Sequence, residues 1–222
     1  MINLTLLIPA KYEVESLPTF LKELKDLKCK KLVVIQKNDL ETINVVNNFE
    51  NVEVLIQKNE GYGSALIEGI NHIDTEYCCI INADGSMNPL YLDAMLNICS
   101  EQDFVFASRY LKPDGGSEDD TIITFIGNKI FSFLGNFIYN LDISDILFTY
   151  ILGKTKSFKS LHLVYNDFKI CVEIPIKAKK QKLNYCSIPS YERTRIGGTK
   201  KVNALKDGFL ILLAILSFIW RK

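Results

Sequence analysis

The first half of the chain alternates short apolar runs with stretches in which apolar residues recur every three to four positions. Nearly continuous apolar runs predict strands buried on both faces, at residues 4–8, 32–35, 52–56, 77–81 and 104–107. The helical spacing predicts helices between them, at residues 16–27, 41–49, 64–73 and 89–99. This alternation predicts an α/β fold, with an open, mostly parallel twisted sheet that carries helices on both faces.

Beyond residue 110 the pattern changes. A polar loop at residues 113–120 precedes an apolar, aromatic-rich stretch at 121–141, which we interpret as a helix that is either deeply buried or in contact with lipid. A second apolar run, at residues 208–220, ends in Trp220. No uninterrupted apolar run reaches the roughly 18–20 residues of a membrane span, so none is expected to cross a bilayer.

Charge is distributed unevenly along the chain. The 26 basic and 26 acidic residues balance overall, which argues against a general nucleic-acid-binding protein. Residues 1–175 nevertheless hold 15 basic and 24 acidic residues, whereas residues 176–222 hold 11 basic and 2 acidic residues. A basic segment that leads into a short apolar helix is typical of an interfacial membrane anchor. The alternative is a terminal helix that packs on the domain.

The strongest chemical signal is the segment Asn82-Ala83-Asp84-Gly85-Ser86, directly after the fourth strand. Ligands of such sheets bind at the carboxyl ends of the strands, and carboxylate, amide and hydroxyl oxygens suit Mg²⁺ or Mn²⁺. A metal there would bridge the phosphates of a nucleotide. The alternative is a plain turn, because all of these polar residue types are common in turns.

Zinc and disulfide chemistry are not expected. The six cysteines form no CxxC pair, and the two histidines have no ligand-like spacing. This pattern fits a reducing compartment.

Three further segments carry candidate binding chemistry. The turn at residues 59–63 places two glycines before a helix and could let the backbone approach a nucleotide, although an ordinary βα turn explains it equally well. The loop at residues 192–201 sets four cations around Gly197-Gly198; it could close over a diphosphate or be a solvated linker. Asp145 could cap a helix or face an acceptor.

Seven segments of the chain resemble, in order, motifs of family 2 glycosyltransferases with the GT-A fold. They are residues 6–13 ("PAYNE"), 59–65 ("NxGKGxA"), 82–89 ("DADxxxxP"), 107–110 ("GSRY"), 143–145 ("VSD"), 168–178 ("GFxxxxELxxKA") and 192–200 ("ER…GxSK"). The branch that the chain resembles contains dolichyl-phosphate mannose synthase and bacterial polyprenyl-phosphate sugar transferases.

The resemblance implies an inverting, metal-dependent transfer of a sugar from a nucleoside-diphosphate sugar, with Mg²⁺ or Mn²⁺ as cofactor. It implies metal ligands at Asp84, Asn82 and Ser86. The residues that it implies for substrate binding are Pro9, Ala10, Tyr12, Glu13, Gln36, Asn59, Gly61, Gly63, Asn82, Ala83, Arg109, Arg193, Arg195 and Lys200. Asp84 and Asp145 are the implied catalytic residues. A phosphate acceptor would need no base, whereas a hydroxyl acceptor would need a carboxylate such as Asp145.

The resemblance also implies an organisation of the chain. Residues 1–200 would form the GT-A domain, with a nucleotide-binding half at 1–110 and an acceptor half at 111–200, and residues 201–222 would form a membrane-surface helix. The protein would be cytoplasmic and peripheral on the inner face of the cytoplasmic membrane. There it would act on a polyprenyl phosphate or another lipid-linked or glycan acceptor in cell-envelope polysaccharide biosynthesis, with no nucleic-acid partner.

The chain departs from the family pattern at four places. The "DDGS" segment reads Gln36 to Asp39, the first Asp of the metal segment is Asn82, and the Lys of "NxGKG" is Tyr62. Residues 146–151, in place of "SGFR", contain no Arg. These departures keep open a catalytically degenerate binding or scaffold protein of the same fold at the membrane surface. A nucleotidyltransferase is a third hypothesis, but residues 9–13 lack the glycine-rich phosphate loop that it would need.

Overall fold

The computed structural model describes residues 3–198 and 204–220, which are built on a seven-stranded sheet with the order β3-β2-β1-β4-β7-β5-β8. The strands of this sheet are β1 (Leu4–Ala10), β2 (Lys30–Gln36), β3 (Val52–Gln57), β4 (Tyr77–Ile80), β5 (Phe104–Ser108), β7 (Ile151–Lys154) and β8 (Tyr185–Pro189). β7 is antiparallel to its neighbours β4 and β5, and the remaining pairings are parallel. The carboxyl ends of six strands therefore meet at one edge.

Helices cover both faces of the sheet. They are α1 (Leu17–Glu23), α2 (Leu40–Val46), α3 (Tyr62–His72), α4 (Leu92–Cys99), α5 (Ile122–Tyr139), α6 (Thr155–Ser160), α7 (Ile170–Lys180) and α8 (Ala204–Trp220). One apolar cluster holds Phe20 of α1 and Met95 of α4, and a second holds Leu66 of α3 and Ile174 of α7. Strand β1 lies between the two clusters and is buried along its whole length, as its apolar pattern predicts.

The mostly parallel sheet and its two helical layers are confirmed, but the central strand β7 and the edge strand β8 were not predicted. β7 has only two apolar residues, Ile151 and Leu152, before Gly153, which is too short for a periodic signal. Gly153 is required by packing, because a Cβ atom there would lie 2.3 Å from the ring of Phe104. β8 is only partly buried along its length, so its sequence lacks the continuous apolar character of β1.

A small second sheet brings the polar loop at residues 113–120 against the basic loop that follows β8. Strand β6 (Gly116–Ser117) pairs in parallel with β9 (Tyr191–Glu192). The side chain of Asp119 then meets Arg195, whose Nη2 lies 3.0 Å from its Oδ2. Oppositely charged loops that are far apart in sequence are thus joined.

Helices α5 and α8 pack on each other and leave apolar side chains exposed. α8 buries Ile211, Ile215 and Phe218, and the Tyr139 hydroxyl of α5 donates to the Ile215 carbonyl oxygen at 2.5 Å. The large apolar side chains of α5 and α8 that stay exposed are Ile122, Ile123, Phe125, Ile126, Ile130, Phe133, Phe137, Phe209, Leu213, Leu216, Ile219 and Trp220. One face of α8 therefore packs on the domain, and the interfacial membrane anchor stays a prediction for the face that points outward.

By length and composition alone, α5 could cross a membrane, with 18 residues and a mean hydropathy of 1.3. It is the single helix of this kind within the described residues. The sequence predicted a helix here but no membrane span, because Asn128 and Lys129 interrupt the apolar run.

A buried carboxylate fixes the loop that leads into α7. Glu173, fully buried, accepts hydrogen bonds from the backbone N–H groups of Val164 and Tyr165, both at 2.9 Å. Lys177, one turn further along α7, lies 2.7 Å from the same carboxylate. Both oxygens of Glu173 are therefore satisfied, and the loop at residues 161–168 is held to the first turns of α7.

Replacing Glu173 by alanine should lower the free energy of unfolding by about 2–4 kcal/mol, because two backbone N–H groups and Lys177 lose their acceptor. Urea denaturation of Glu173→Ala beside Glu101→Ala, an exposed residue after α4, measures the difference. A loss within 0.5 kcal/mol of the control would contradict this role for Glu173.

Candidate active site

Two cavities lie at the carboxyl edge of the parallel strands and share part of their walls. The strand-end cavity, of about 370 Å³, is lined by residues after β1, β2, β3 and β4. The helical cavity, of about 520 Å³, lies between α5, α8 and the loops after β4 and β5. The residues common to both are Tyr62, Asn82, Phe168 and Arg195. A ligand in each cavity would therefore meet the other at this junction.

The predicted metal segment lines the strand-end cavity at Asn82, Ala83 and Asp84. Asp84 is buried, and its Oδ1 accepts hydrogen bonds from the backbone N–H and the hydroxyl of Ser86, at 3.1 and 2.9 Å. Its Oδ2 lies 3.6 Å from Arg195 Nη1. Ser86 thus orients the carboxylate through Oδ1, and Oδ2 is the oxygen that faces the guanidinium of Arg195.

The ends of β1 and β2 contribute Pro9, Ala10, Glu13 and Gln36 to the strand-end cavity, as predicted. Gln36 is 5% exposed, and its amide has no hydrogen-bond partner within the described part of the chain. Because Gln36 lines this cavity, a ligand that enters it can hydrogen-bond to the amide.

Tyr12, a predicted substrate-binding residue, contacts Asp39, the last residue of the segment that stands in place of "DDGS". The Oδ2 atom of Asp39 accepts from the backbone N–H of Tyr12 at 2.6 Å, and its Oδ1 caps α2 through the N–H of Thr42. Asp39 does not line the strand-end cavity, and neither does Tyr12, which is half-exposed. Asp39 therefore serves as the N-cap of α2.

The glycine turn serves packing within the chain. A Cβ atom at Gly61 would lie 2.0 Å from the carbonyl oxygen of Asn166, and one at Gly63 would lie 2.1 Å from that of Tyr165. The Asn166 carbonyl also accepts the N–H of Ser64 at 3.2 Å, in the first turn of α3. The predicted close approach is therefore made by the loop at residues 161–168, and Gly61 alone of the two glycines lines the cavity.

Asn59 has a similar structural role. Its backbone N–H and its side-chain amide both donate to Glu68 Oε1, at 2.9 and 3.1 Å. The residue is exposed and lies outside the lining of the strand-end cavity. Its contacts tie the turn after β3 to α3.

The basic loop divides its cations between two tasks. Arg195 lines both cavities and pairs with Asp119. Arg193 instead forms a two-pronged ion pair with Glu23 of α1, at 2.8 and 3.1 Å, and donates to the Gly85 carbonyl. Its guanidinium lines neither cavity, so the predicted phosphate contact does not fit Arg193. Lys200 lies outside the described residues.

The junction contains a neutral hydrogen-bonded group. The Tyr62 hydroxyl donates to Asn82 Oδ1 at 3.1 Å and lies 2.6 Å from Thr149 Oγ1. Its ring stacks on Phe168, with ring centroids 5.0 Å apart. Burial raises the pKa of Tyr62 well above its ordinary value, so the hydroxyl stays protonated. These contacts join three of the four places where the chain departs from the family pattern.

Arg109 and Asp145 form a buried pair behind the helical cavity. Arg109 Nε and Nη2 donate to the two oxygens of Asp145 at 2.7 and 3.0 Å, and its Nη1 lies 3.1 Å from Glu192 Oε2 and 3.5 Å from Asp120 Oδ1. Burial opposes the charge, but Asp145 and Glu192 together raise the pKa of Arg109 above its ordinary value. The Asp145 side chain is fully buried and lines neither cavity. Its placement therefore fits positioning of Arg109 and does not fit proton transfer from an acceptor.

The chain matches one protein family over most of its length. A model of glycosyl transferase family 2 matches residues 5–161, more than half of the chain. The chain belongs to glycosyl transferase family 2. A search of curated proteins gives no match.

Solved structures agree on the fold of this family 2 member. Glucosyl-3-phosphoglycerate synthase from Mycobacterium tuberculosis, in complex with Mn²⁺, UDP and phosphoglyceric acid, has a TM-score of 0.72 at 12% identity, covering 96% of this chain and 77% of that chain. The same enzyme with Mg²⁺ and UDP has a TM-score of 0.69 at 12% identity, with 96% and 78% covered. Mannosyl-3-phosphoglycerate synthase from Rubrobacter xylanophilus has a TM-score of 0.68 at 15% identity, with 99% and 73% covered.

Sequence reasoning missed several cavity residues of this family 2 chain. The acids Asp119, Asp120 and Glu192 line the helical cavity, and Gln57 lines the strand-end cavity. Gln57 ends a predicted strand, so the strand-end rule that selected Gln36 could have found it. The three acids lie in loops whose pairing depends on the small sheet, and no local pattern indicates that pairing.

Gly63→Ala should destabilise the chain by about 1–3 kcal/mol, because the new methyl group collides with the Tyr165 carbonyl, whereas Gly127→Ala should stabilise it by up to about 1 kcal/mol. A Cβ atom at Gly127 in α5 meets nothing within 4 Å, so it is a matched control. Urea denaturation of both variants measures the difference. Equal shifts would contradict the close approach of the loop at residues 161–168.

Proposed function

We propose that this family 2 chain transfers a sugar from a nucleoside-diphosphate sugar to a lipid-linked acceptor, with inversion at the anomeric carbon. The observation that carries the proposal is the pair of cavities that meet at Tyr62, Asn82 and Arg195. The strand-end cavity, the more polar of the two, takes the donor, and the more apolar helical cavity takes the acceptor. The anomeric carbon then lies at the junction, where nucleophile and leaving group meet.

The donor is oriented by the ends of the parallel strands. Gln36 offers its unpaired amide to the base, since an amide supplies both a donor and an acceptor. Arg195 lies beside Asp84 at the junction and faces the developing charge of the leaving diphosphate, which its forked donors suit. The structural neighbours crystallised with UDP make a nucleoside diphosphate the first class to test.

The residues present fit a divalent cation that the donor partly ligates. The described residues contain no group of three His, Cys, Asp or Glu side chains able to hold a metal. Mg²⁺, however, is commonly held by one or two carboxylates together with substrate phosphates and water. Asp84 would supply this carboxylate through Oδ2. Ser86 orients the carboxylate, and the Asn82 amide lines the same cavity. When bound, the cation supplies charge that stabilises the leaving diphosphate.

The acceptor side of the proposal rests on the helical cavity and the surface around it. Its walls include Ile130, Phe131, Leu134, Phe209 and Leu212 from α5 and α8. The apolar side chains that α5 and α8 leave exposed continue from this cavity onto the outer surface. Contiguous apolar surface of this kind is characteristic of membrane contact. We therefore propose that the α5–α8 surface rests on the inner face of the cytoplasmic membrane and admits a lipid chain.

Thermal unfolding with UDP, GDP and CDP, each with and without Mn²⁺, tests the donor site. One nucleotide should raise the free energy of unfolding by about 2.7 kcal/mol at a hundredfold excess over its dissociation constant, and only with the metal. Asp84→Asn should abolish the metal-dependent part, and Arg195→Gln should weaken nucleotide binding at least tenfold. Arg193→Gln is the matched control and should keep the nucleotide shift, because Arg193 pairs with Glu23.

Metal-dependent release of the nucleoside diphosphate from its sugar conjugate by the wild-type chain would complete the case for an enzyme. Absence of a shift with all three nucleotides would favour the scaffold hypothesis.

Fluorescence of Trp220, the single tryptophan of the chain, tests the membrane surface. Trp220 is 87% exposed, so its emission should shift to shorter wavelength when vesicles rich in anionic lipid are added. Replacing both Phe133 and Phe137 by serine should weaken vesicle binding, because both exposed rings lie on α5. Leu40→Ser, an equally exposed residue on α2 across the sheet, is the control. Unchanged emission with every vesicle would contradict the proposal.

A further inference from the structure

The polar end of the helical cavity carries more carboxylates than cations. The charged side chains that line it, among the described residues, are Asp119, Asp120, Glu192, Arg109 and Arg195. Both arginines are already engaged: Arg109 pairs with Asp145 and Glu192, and Arg195 pairs with Asp119 and faces the proposed donor diphosphate. A phosphate headgroup would bring two further negative charges against these carboxylates, where low dielectric strengthens repulsion. The charge distribution therefore favours a neutral headgroup.

Glu192 has one oxygen committed and one available. Its Oε2 accepts from Arg109 Nη1 at 3.1 Å and from Ser117 Oγ at 2.5 Å. Its Oε1 accepts no hydrogen bond from any residue in the ranges 3–198 and 204–220. Glu192 is only 7% exposed, and it lines the helical cavity. A buried carboxylate that lines a cavity, with one oxygen held by hydrogen bonds and the other uncommitted, is suited to accept a proton.

The other acids near the cavity are less available. Asp145 gives both oxygens to Arg109 and lines neither cavity. Asp120 accepts from the Tyr110 hydroxyl through one oxygen and from Thr124 Oγ1 at 3.0 Å through the other. Of Asp145, Asp120 and Glu192, Glu192 is therefore the one with an oxygen that accepts no hydrogen bond from the described residues.

Glu192 also lies beside the turn that holds Asp84. The backbone of Glu192 forms a bridge with Met87, and Met87 lines the same cavity. The next residue, Arg193, donates its N–H to the Ser86 carbonyl at 2.9 Å. The end of β9 is thus fixed next to the donor side of the junction, within the region where an acceptor atom must enter.

We propose that the acceptor presents a hydroxyl group and that Glu192 Oε1 accepts its proton. This inference rests on the proposed function. The hydroxyl oxygen forms a bond to the anomeric carbon, the bond from that carbon to the diphosphate oxygen breaks, and its electron pair leaves with the nucleoside diphosphate. The hydroxyl proton passes to Glu192 and then to solvent. Arg109 and Ser117 hold the carboxylate in place throughout.

Binding of two small lipids with the same chain tests the charge argument without turnover. Octyl glucoside and octyl phosphate, both below their micellar concentrations, are titrated by calorimetry into the wild type, Glu192→Gln and Glu101→Gln. The wild type should bind octyl glucoside at least tenfold more tightly than octyl phosphate. Glu192→Gln should narrow that ratio by removing one negative charge, and Glu101→Gln, a distant exposed site, should leave it unchanged. Tighter binding of octyl phosphate by the wild type would overturn the proposal.

Transfer with both lipids competing in one reaction tests the base, with the donor nucleotide identified by thermal unfolding. Product should form on octyl glucoside alone, and Glu192→Gln should lower kcat by about 10²–10⁴-fold while the donor KM and the nucleotide-induced stability shift stay unchanged. Product on octyl phosphate, or an unchanged kcat in Glu192→Gln, would overturn the inference. Loss of the nucleotide shift together with failure to bind either lipid would instead defeat the proposed function itself.

The pH profile gives a second readout. Burial raises the pKa of Glu192 above its ordinary value, although Arg109 opposes this and Asp119 adds to it. The groups that face Glu192 are Arg109 after β5, Ser117 from β6, Asp119 and Asp120 from the polar loop at residues 113–120, and Arg195. The wild-type rate should therefore rise with pH through a value above that of a free glutamate and then level off. In Glu192→Gln this rise should vanish, and its persistence would contradict proton transfer to Glu192.

Discussion

The guanidinium of Arg109 is the interaction on which the acceptor half of the site depends. It extends from the end of β5 and contacts carboxylates from three separate segments: Asp145 after α5, Asp120 in the polar loop at residues 113–120, and Glu192 on β9. A buried ion pair contributes little net stability against an apolar replacement, but breaking one side of it is costly. What this network supplies is position: it fixes where three loops lie around one cavity.

The alternation of strands and helices through β5 could be predicted because each strand is buried on both faces and each helix has one apolar stripe. β7 could not, since its four residues are specified by contacts with β4, β5 and Phe104 and hardly by its own composition. At the site, Asp84 was predictable because it follows a buried strand directly. The choice between Arg193 and Arg195 was not. The two residues belong to one loop, and which of them faces the cavities depends on Glu23, a residue far away in sequence. The surroundings of Asp145 were not predictable for the same reason, because both of its oxygens are held by Arg109, a residue far away in sequence.

Three departures from the family pattern make sense together. Tyr62, Asn82 and Thr149 are far apart in sequence and form one hydrogen-bonded group at the junction. The family motifs that the chain resembles have charged residues at the positions of Tyr62 and Asn82, whereas the three side chains observed here are neutral and hydrogen-bonded to one another. The junction therefore differs from the family pattern in its electrostatics.

Helix α8 is part of the domain that carries the two cavities and is not a separate appendage. The boundary expected at residue 201 marks a change in composition, but the helix beyond it supplies Asp207 to one cavity and Phe209 to the other. Its inner face shares a core with α5 and α7, through Ile215 and the ring of Phe218. Such a helix is not a tether that can be exchanged for another anchor without reshaping the site. The seventeen residues of α8 therefore contribute both to the outer apolar surface and to the walls of the two cavities.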